Sequence, residues 1–228
     1  MNKSVLSAQR VEKYYEQNSL RQQVLNGISV EFHQGKSYAL TGVSGSGKST
    51  FLHIIGGIDA PTAGEVLFDG SDINKFSSKK REHFLNQNIG FVFQFHYLIN
   101  ELTVLENLMI VGQIAGESME KSKKRALELL SSIGLESLEH KNPFELSGGE
   151  LQRVSILRAL FNKPKFILAD EPTGNLDEQN MEKVVDLFLK CQSEWGLGVI
   201  ICSHDAQVYG KMGTIFRLHN GIFDIAKV

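Results

Sequence analysis

The chain has 228 residues, 42% of them apolar and 22% charged, with a net charge of −2. That length suits one large domain, or one with an inserted lobe, and a core that needs no disulfide or metal staple. The near-neutral balance excludes a whole-chain basic field for nucleic acid, and no stretch approaches the roughly 18 apolar residues of a membrane span.

In chain order, Met1 to Arg10 lacks an apolar signal core, which predicts a cytoplasmic protein. The first third reads mainly as strand. Ile28 to Phe32 and Ser37 to Leu40 are short and apolar-rich, and Glu65 to Phe68 ends at the turn signal Asp69-Gly70. A helix is predicted from the glycine-rich segment to Ile58, and a strand over Ile89 to Phe93. The middle changes period between Thr103 and Ile133: Leu105, Leu108 and Met109 fall at helical spacing, and Leu127, Leu129, Leu130 and Ile133 follow on a second helix. This reads as a helical lobe, residues 95–148, inserted into one domain spanning 1–228. The run Lys121 to Arg125 reads as a solvated helix face rather than a nucleic-acid patch. Helices over Glu150 to Phe161 and Gln179 to Cys191 alternate with continuous apolar runs at Phe166 to Ala169 and Gly198 to Cys202. Such runs suit parallel strands covered on both faces, so the fold class is α/β, with ligands expected beyond the carboxyl ends of the strands. Cys191 and Cys202 sit in apolar surroundings and read as buried, reduced thiols.

Three segments carry chemistry. Gly42-Val43-Ser44-Gly45-Ser46-Gly47-Lys48-Ser49 matches the P-loop pattern, follows a strand and opens a helix. Glycines at Gly42, Gly45 and Gly47 let the backbone bend so that N–H groups, including those of Ser44 and Ser46, point at one anion, helped by the helix N-terminus. Lys48 suits the β- and γ-phosphates, Ser49 suits Mg²⁺, and Thr50 suits a phosphate hydrogen bond. Asp170-Glu171 ends a buried apolar strand, where charges are costly unless used. Asp170 suits a second Mg²⁺ contact, and Glu171 would polarise the attacking water. In Leu146-Ser147-Gly148-Gly149-Glu150, Ser147 and Glu150 have capping-box spacing. The two glycines are not explained by a cap, because each weakens a helix start by roughly 1 kcal/mol. Bare backbone there makes a second anion site.

Leu146 to Arg153, placed between the P-loop and Asp170-Glu171, resembles the signature of the ABC ATPases. Gln94 resembles that family's Q-loop glutamine, which contacts Mg²⁺ and the water; Asn175-Leu176-Asp177 resembles its D-loop, and His204 its switch histidine. Tyr15, nine residues before Val24, falls where the family's adenine-stacking aromatic lies, with Tyr14 as a competing candidate. Ala169 to Asp177, Gly90 to Leu98 and Ile54 to Thr62 resemble the group containing the lipoprotein-releasing ATPase LolD, the macrolide-export ATPase MacB and the cell-division ATPase FtsE. Asn100, Leu157 and Ser203 depart from that pattern, where proline, alanine and threonine are usual.

The resemblance implies a P-loop NTPase fold with an N-terminal antiparallel β part and an inserted α-helical subdomain. It further implies an ATPase that uses ATP and Mg²⁺ and pairs as a head-to-tail homodimer. In that dimer Ser147, Gly149 and Asp177 of one copy close on nucleotide held by the other. An integral-membrane permease would hold it peripherally at the cytoplasmic face of the inner membrane, with no nucleic acid as partner. Lipoprotein release is the leading expectation; a MacB-like exporter or FtsE-like complex is the alternative. A nucleic-acid or ribosome-linked ABC ATPase would be expected to carry a second ATPase unit, a coiled coil or a basic extension, a non-hydrolysing regulatory subunit to lack Glu171 or His204, and a P-loop kinase leaves the signature unexplained.

Overall fold

The computed structural model describes residues 3–17 and 20–227. In chain order the elements are β1 Val5–Gln17, β2 Leu20–His33, β3 Ser37–Thr41, α1 Lys48–Ile55, β4 Ala63–Phe68, β5 Ser71–Asp72, α2 Ser78–Asn88 and β6 Ile89–Val92. There follow α3 Val104–Ile114, α4 Met119–Ser131, α5 Gly148–Leu160, β7 Phe166–Asp170, α6 Glu178–Trp195, β8 Gly198–Cys202, α7 Ala206–Tyr209, β9 Thr214–His219 and β10 Ile222–Lys227.

Two sheets result. The first is antiparallel, in the order β2-β1-β4-β5. The second, in the order β10-β9-β3-β8-β7-β6, is parallel from β9 to β6, with β10 antiparallel at one edge. The continuous apolar runs do form its centre: every residue of β3 and β8 is buried. Because side chains alternate along a strand, this sheet feeds two cores. Ala39, Val92, Ile167, Ala169, Val199 and Ile201 pack with the helices, against Leu108, Leu130, Val154 and Phe188. Leu40, Phe166, Leu168, Ile200 and Cys202 pack on the other face, against Phe51, Ile54, Leu25 and Phe32. The helix α1 is thereby held between the sheets.

Several elements differ from the expectation in extent. β1 has 13 residues and pairs with both β2 and β4. Its pattern is broken by register shifts between Ala8 and Val11, and a bulge interrupts the alternation that would reveal a strand. α2 carries one buried side chain, Phe84, and is announced mainly by its cap, Ser77, which accepts from the Lys80 N–H. The stretch from Thr103 to Ile133 forms two helices as the spacing predicts, and they divide at Gly116, whose φ of 86° breaks the first. Lys121, Lys123 and Lys124 are exposed as expected, but Arg125 turns inward and donates to the Phe161 carbonyl at 3.3 Å. Cys191 and Cys202 are free and buried.

Candidate active site

The strand order brings the chemistry together. β3, β8, β7 and β6 are neighbours, so the segments leaving their carboxyl ends lie side by side: the glycine-rich loop, Ser203-His204, Asp170-Glu171 and Gln94.

Leaving β3, the loop turns at Gly42, Gly45 and Gly47, with φ of 150°, 75° and 103°. A side chain at Gly42 would meet the Leu218 carbonyl oxygen at 2.6 Å, and one at Gly47 would meet Val24 at 2.7 Å. Both glycines are therefore fixed by close approach as well as by φ. Gly47 is the N-cap of α1 and supplies no side-chain cap, so the first N–H groups of the helix face the loop without a side-chain acceptor. Lys48 is only 7% exposed, and its ammonium donates back to the carbonyls of Gly42 and Val43 at 3.0 and 3.2 Å. Ser46 Oγ is buried with no hydrogen-bond partner. Bent backbone, uncapped amides and an inward ammonium together make an anion cradle.

Ser49 Oγ donates to Asp170 Oδ1 at 2.9 Å, across 121 residues of sequence. Two hard oxygens at this spacing fit Mg²⁺, an ion that usually takes one or two protein ligands and completes its shell with substrate phosphates and water. His53 Nε2 is buried without a hydrogen-bond partner, 3.8 Å from Asp170 Oδ2.

Glu171 sits at φ 45°, a left-handed conformation that costs a non-glycine residue about 1–3 kcal/mol. The Glu171 N–H donates to the Cys202 carbonyl at 3.0 Å, and its carboxylate lies 3.0 Å from His204 Nδ1. The strained turn thus swings the acid out of line with β7 and onto the histidine that follows β8. Glu171, Gly174, Ser203 and His204 line a cavity of about 360 Å³. The Gln94 amide lies against Gly174, its Nε2 3.2 Å from where a Cβ of that glycine would stand.

Ser147, Gly149 and Asp177 form a separate group. Ser147 caps α5 in a full capping box: Glu150 accepts from the Ser147 N–H and Oγ, and the Glu150 N–H returns to Ser147 Oγ. Those bonds, the hydroxyl's first, hold the Glu150 carboxyl below the usual range. Asp177 caps α6, and bonds from the Asn180 side chain and then its backbone N–H lower its pKa. Asn180 Oδ1 also accepts from Arg153 at 3.3 Å, and the Asn180 side chain lies where a Cβ of Gly149 would overlap it. Ser147 and Gly148 are exposed, and no hydrogen bond among the described residues links this group to residues 42–50.

Tyr15 is 45% exposed, and its hydroxyl donates to Asp59 Oδ2 at 3.4 Å; the ring of Tyr14 is covered by Arg21 at 4.4 Å. Four residues escaped the sequence reading: Asn180, Asp59, His96 and Arg158. Asp59, His96 and Arg158 bond mostly to backbone or to groups distant in sequence; Asn180 sits at capping distance from Asp177, but its contacts to Arg153 and Gly149 leave no local mark.

The family model described as "ABC transporter" matches residues 25–174. The lipoprotein-releasing system ATP-binding protein LolD of Legionella pneumophila (strain Paris) is 42% identical over 97% of both chains. That of Bdellovibrio bacteriovorus is 41% identical over 92% of this chain and 96% of its own. Among solved structures, a dimeric bacterial ABC transporter cassette superposes with TM-score 0.88 at 38% identity over 96% of each chain. A dimeric cassette in a post-hydrolysis state bound to ADP and phosphate gives 0.89 at 37% identity, over 97% of this chain and 98% of that one.

Proposed function

Since the chain belongs to the ABC transporter ATP-binding family, we propose that its ATPase drives a separate membrane permease that releases lipoproteins from the bacterial inner membrane. The observation that carries the ATPase chemistry is the convergence of Lys48, Ser49, Asp170, Glu171 and His204 at the carboxyl ends of neighbouring strands. The cargo reading is supported by the likeness to the LolD proteins over nearly the whole chain.

Residues 42–50 hold the triphosphate of the substrate ATP, with Lys48 turning from its carbonyl partners to the β- and γ-phosphates. Ser49 and Asp170 would hold Mg²⁺, which would supply charge neutralisation to the triphosphate. Glu171, already strained toward the cavity, accepts a proton from the attacking water. His204 orients Glu171 and is placed to donate to the γ-phosphate, and Gln94 orients the water. Tyr15 stacks on adenine. Ser147 and Gly149 of a second copy close the site, and Asp177 lies along the same seam. Residues 95–148 form the inserted helical subdomain. No described helix is long and apolar enough to cross a membrane, so a permease holds the chain peripherally at the cytoplasmic face.

Co-purification with membrane proteins from the native source tests the cargo. A permease with a large periplasmic domain, and loss of lipoprotein release on depletion, are expected. A permease that imports solutes would overturn the reading.

A further inference from the structure

Arg158 has no role in the scheme above, yet its setting is unusual. Burial lowers its pKa, and it makes no salt bridge among the described residues. Instead its guanidinium forks across two carbonyls, Nη1 donating to Tyr97 at 2.6 Å and Nη2 to His96 at 2.8 Å. Tyr97 is itself in a left-handed conformation, at φ 48°. Six residues earlier on the same helix, Gln152 is 1% exposed, and its Oε1 lies 2.5 Å from His96 Nδ1. Three hydrogen bonds from α5 thus grip two consecutive residues just after Gln94. A half-buried charge without a counter-ion is a costly way to hold a loop, and the planar fork is the feature a lysine cannot supply.

The other end of that helix begins at Ser147. We propose that Arg158 is a positioning residue: it fixes the segment after Gln94 to α5, so that Gln94 and Ser147 move as one body when nucleotide binds. This role rests on the functions proposed above for those two residues. It makes α5 the rigid strut between the water-orienting glutamine and the serine presented to a second copy. Phe95 and Tyr97, each 64% exposed, ride on the gripped segment and carry its movement to the surface.

The test uses the full chain with Phe95→Cys labelled by a maleimide fluorophore. Cys191 and Cys202 are buried, with burial pushing the Cys191 thiol up to about 12 and Cys202 higher than usual, so the label goes to the new thiol. The parent should show an emission change on adding Mg-ATP. Arg158→Met and Arg158→Lys should bind ATP within about twofold of the parent, because residues 42–50 are untouched. Both should lose the emission change, and kcat should fall at least about tenfold at unchanged KM, the pattern of an interaction made only in the transition state. An Arg158→Met chain that keeps either its emission change or its kcat overturns the proposal. Should that variant fail to fold, Arg158→Lys, which keeps the charge and the aliphatic stem, decides: normal turnover overturns it. A parent that hydrolyses ATP while its label stays silent also overturns it. A parent that neither binds nor hydrolyses ATP would instead sink the functional reading on which this role stands.

Discussion

Two glycine-rich helix starts, one at 42–48 and one at 147–150, look alike in sequence and are held by opposite means. The first is folded inward. Gly42 and Gly47 approach the Leu218 carbonyl and Val24 too closely for a Cβ, Lys48 is buried, and Ser49 is matched by Asp170 at the end of β7. The second is locally capped and faces outward. Ser147 is occupied by Glu150 three residues on, and Ser147 and Gly148 are exposed. Only Gly149 is pressed inward, against Asn180. The first start is therefore enclosed by groups of its own chain, whereas Ser147 and Gly148 of the second face outward, bound among the described residues only by the local cap. A second copy is the economical partner for it.

Substitutions that strike one region and spare the other test this contrast. The largest effect is expected for Glu171→Gln, which keeps the bond geometry to His204 and removes the base. Turnover should fall by about 10²–10⁴ with ATP binding preserved, checked by phosphate release and equilibrium nucleotide titration. Near-normal hydrolysis would remove Glu171 as the base and leave its strained backbone unexplained.

Ser147→Arg strikes only the outward region. Nucleotide affinity of the isolated chain should be unchanged, while turnover falls by about 10²–10³, the range for losing a positioned transition-state donor. If affinity for ATP drops in the isolated chain, the two regions already share one nucleotide within a single copy, and the contrast fails.

Asn180→Ala sharpens the comparison within the second region. It frees Asp177 Oδ2 and Arg153 together, while Asp177 still accepts from the backbone N–H at position 180. Stability should change by no more than about 1 kcal/mol, since the cap survives. Steady-state turnover should fall by up to about tenfold, through loss of one net hydrogen bond of roughly 1 kcal/mol in the seam. Unchanged turnover would reduce Asn180 to a packing residue beneath Gly149.

How much of this was legible in the sequence follows the same divide. The inward site is written in local patterns: glycine spacing, a strand before it, a charged pair after an apolar run. Strand order was not written there, yet parallel pairing of β3, β8, β7 and β6 is what turns those patterns into one site. The capping box at Ser147 was also legible, because its partners are three residues apart. What held Gly149 was not: Asn180 lies 31 residues on, and a glycine that must avoid a distant side chain looks the same as one that must flex. β1 was missed because bulges break its alternation, and α2 because a helix with one buried side chain has little amphipathic signal.

The smallest expected effect concerns the adenine. Tyr14 and Tyr15 are adjacent on β1 and so point to opposite faces. Arg21 already lies over the ring of Tyr14. Tyr15 is anchored at its hydroxyl by Asp59, which also takes Lys13 at 2.9 Å. Burial works against ionising Asp59, but Lys13, the Ala60 N–H and the Tyr15 hydroxyl together outweigh it and hold its carboxyl below the usual range. The anchor fixes the Tyr15 ring by its far end and leaves the ring 45% exposed. Stacking on such a ring contributes about 0.5–1.5 kcal/mol, so Tyr15→Ala should weaken ATP binding by roughly two- to tenfold, while Tyr14→Ala leaves it unchanged. The reverse pattern in the same titration would assign the adenine to Tyr14, with Arg21 displaced from its ring. Silence from both would mean that the triphosphate grip of 42–50 supplies essentially all of the affinity, which would make the inward region still more self-sufficient than its geometry indicates.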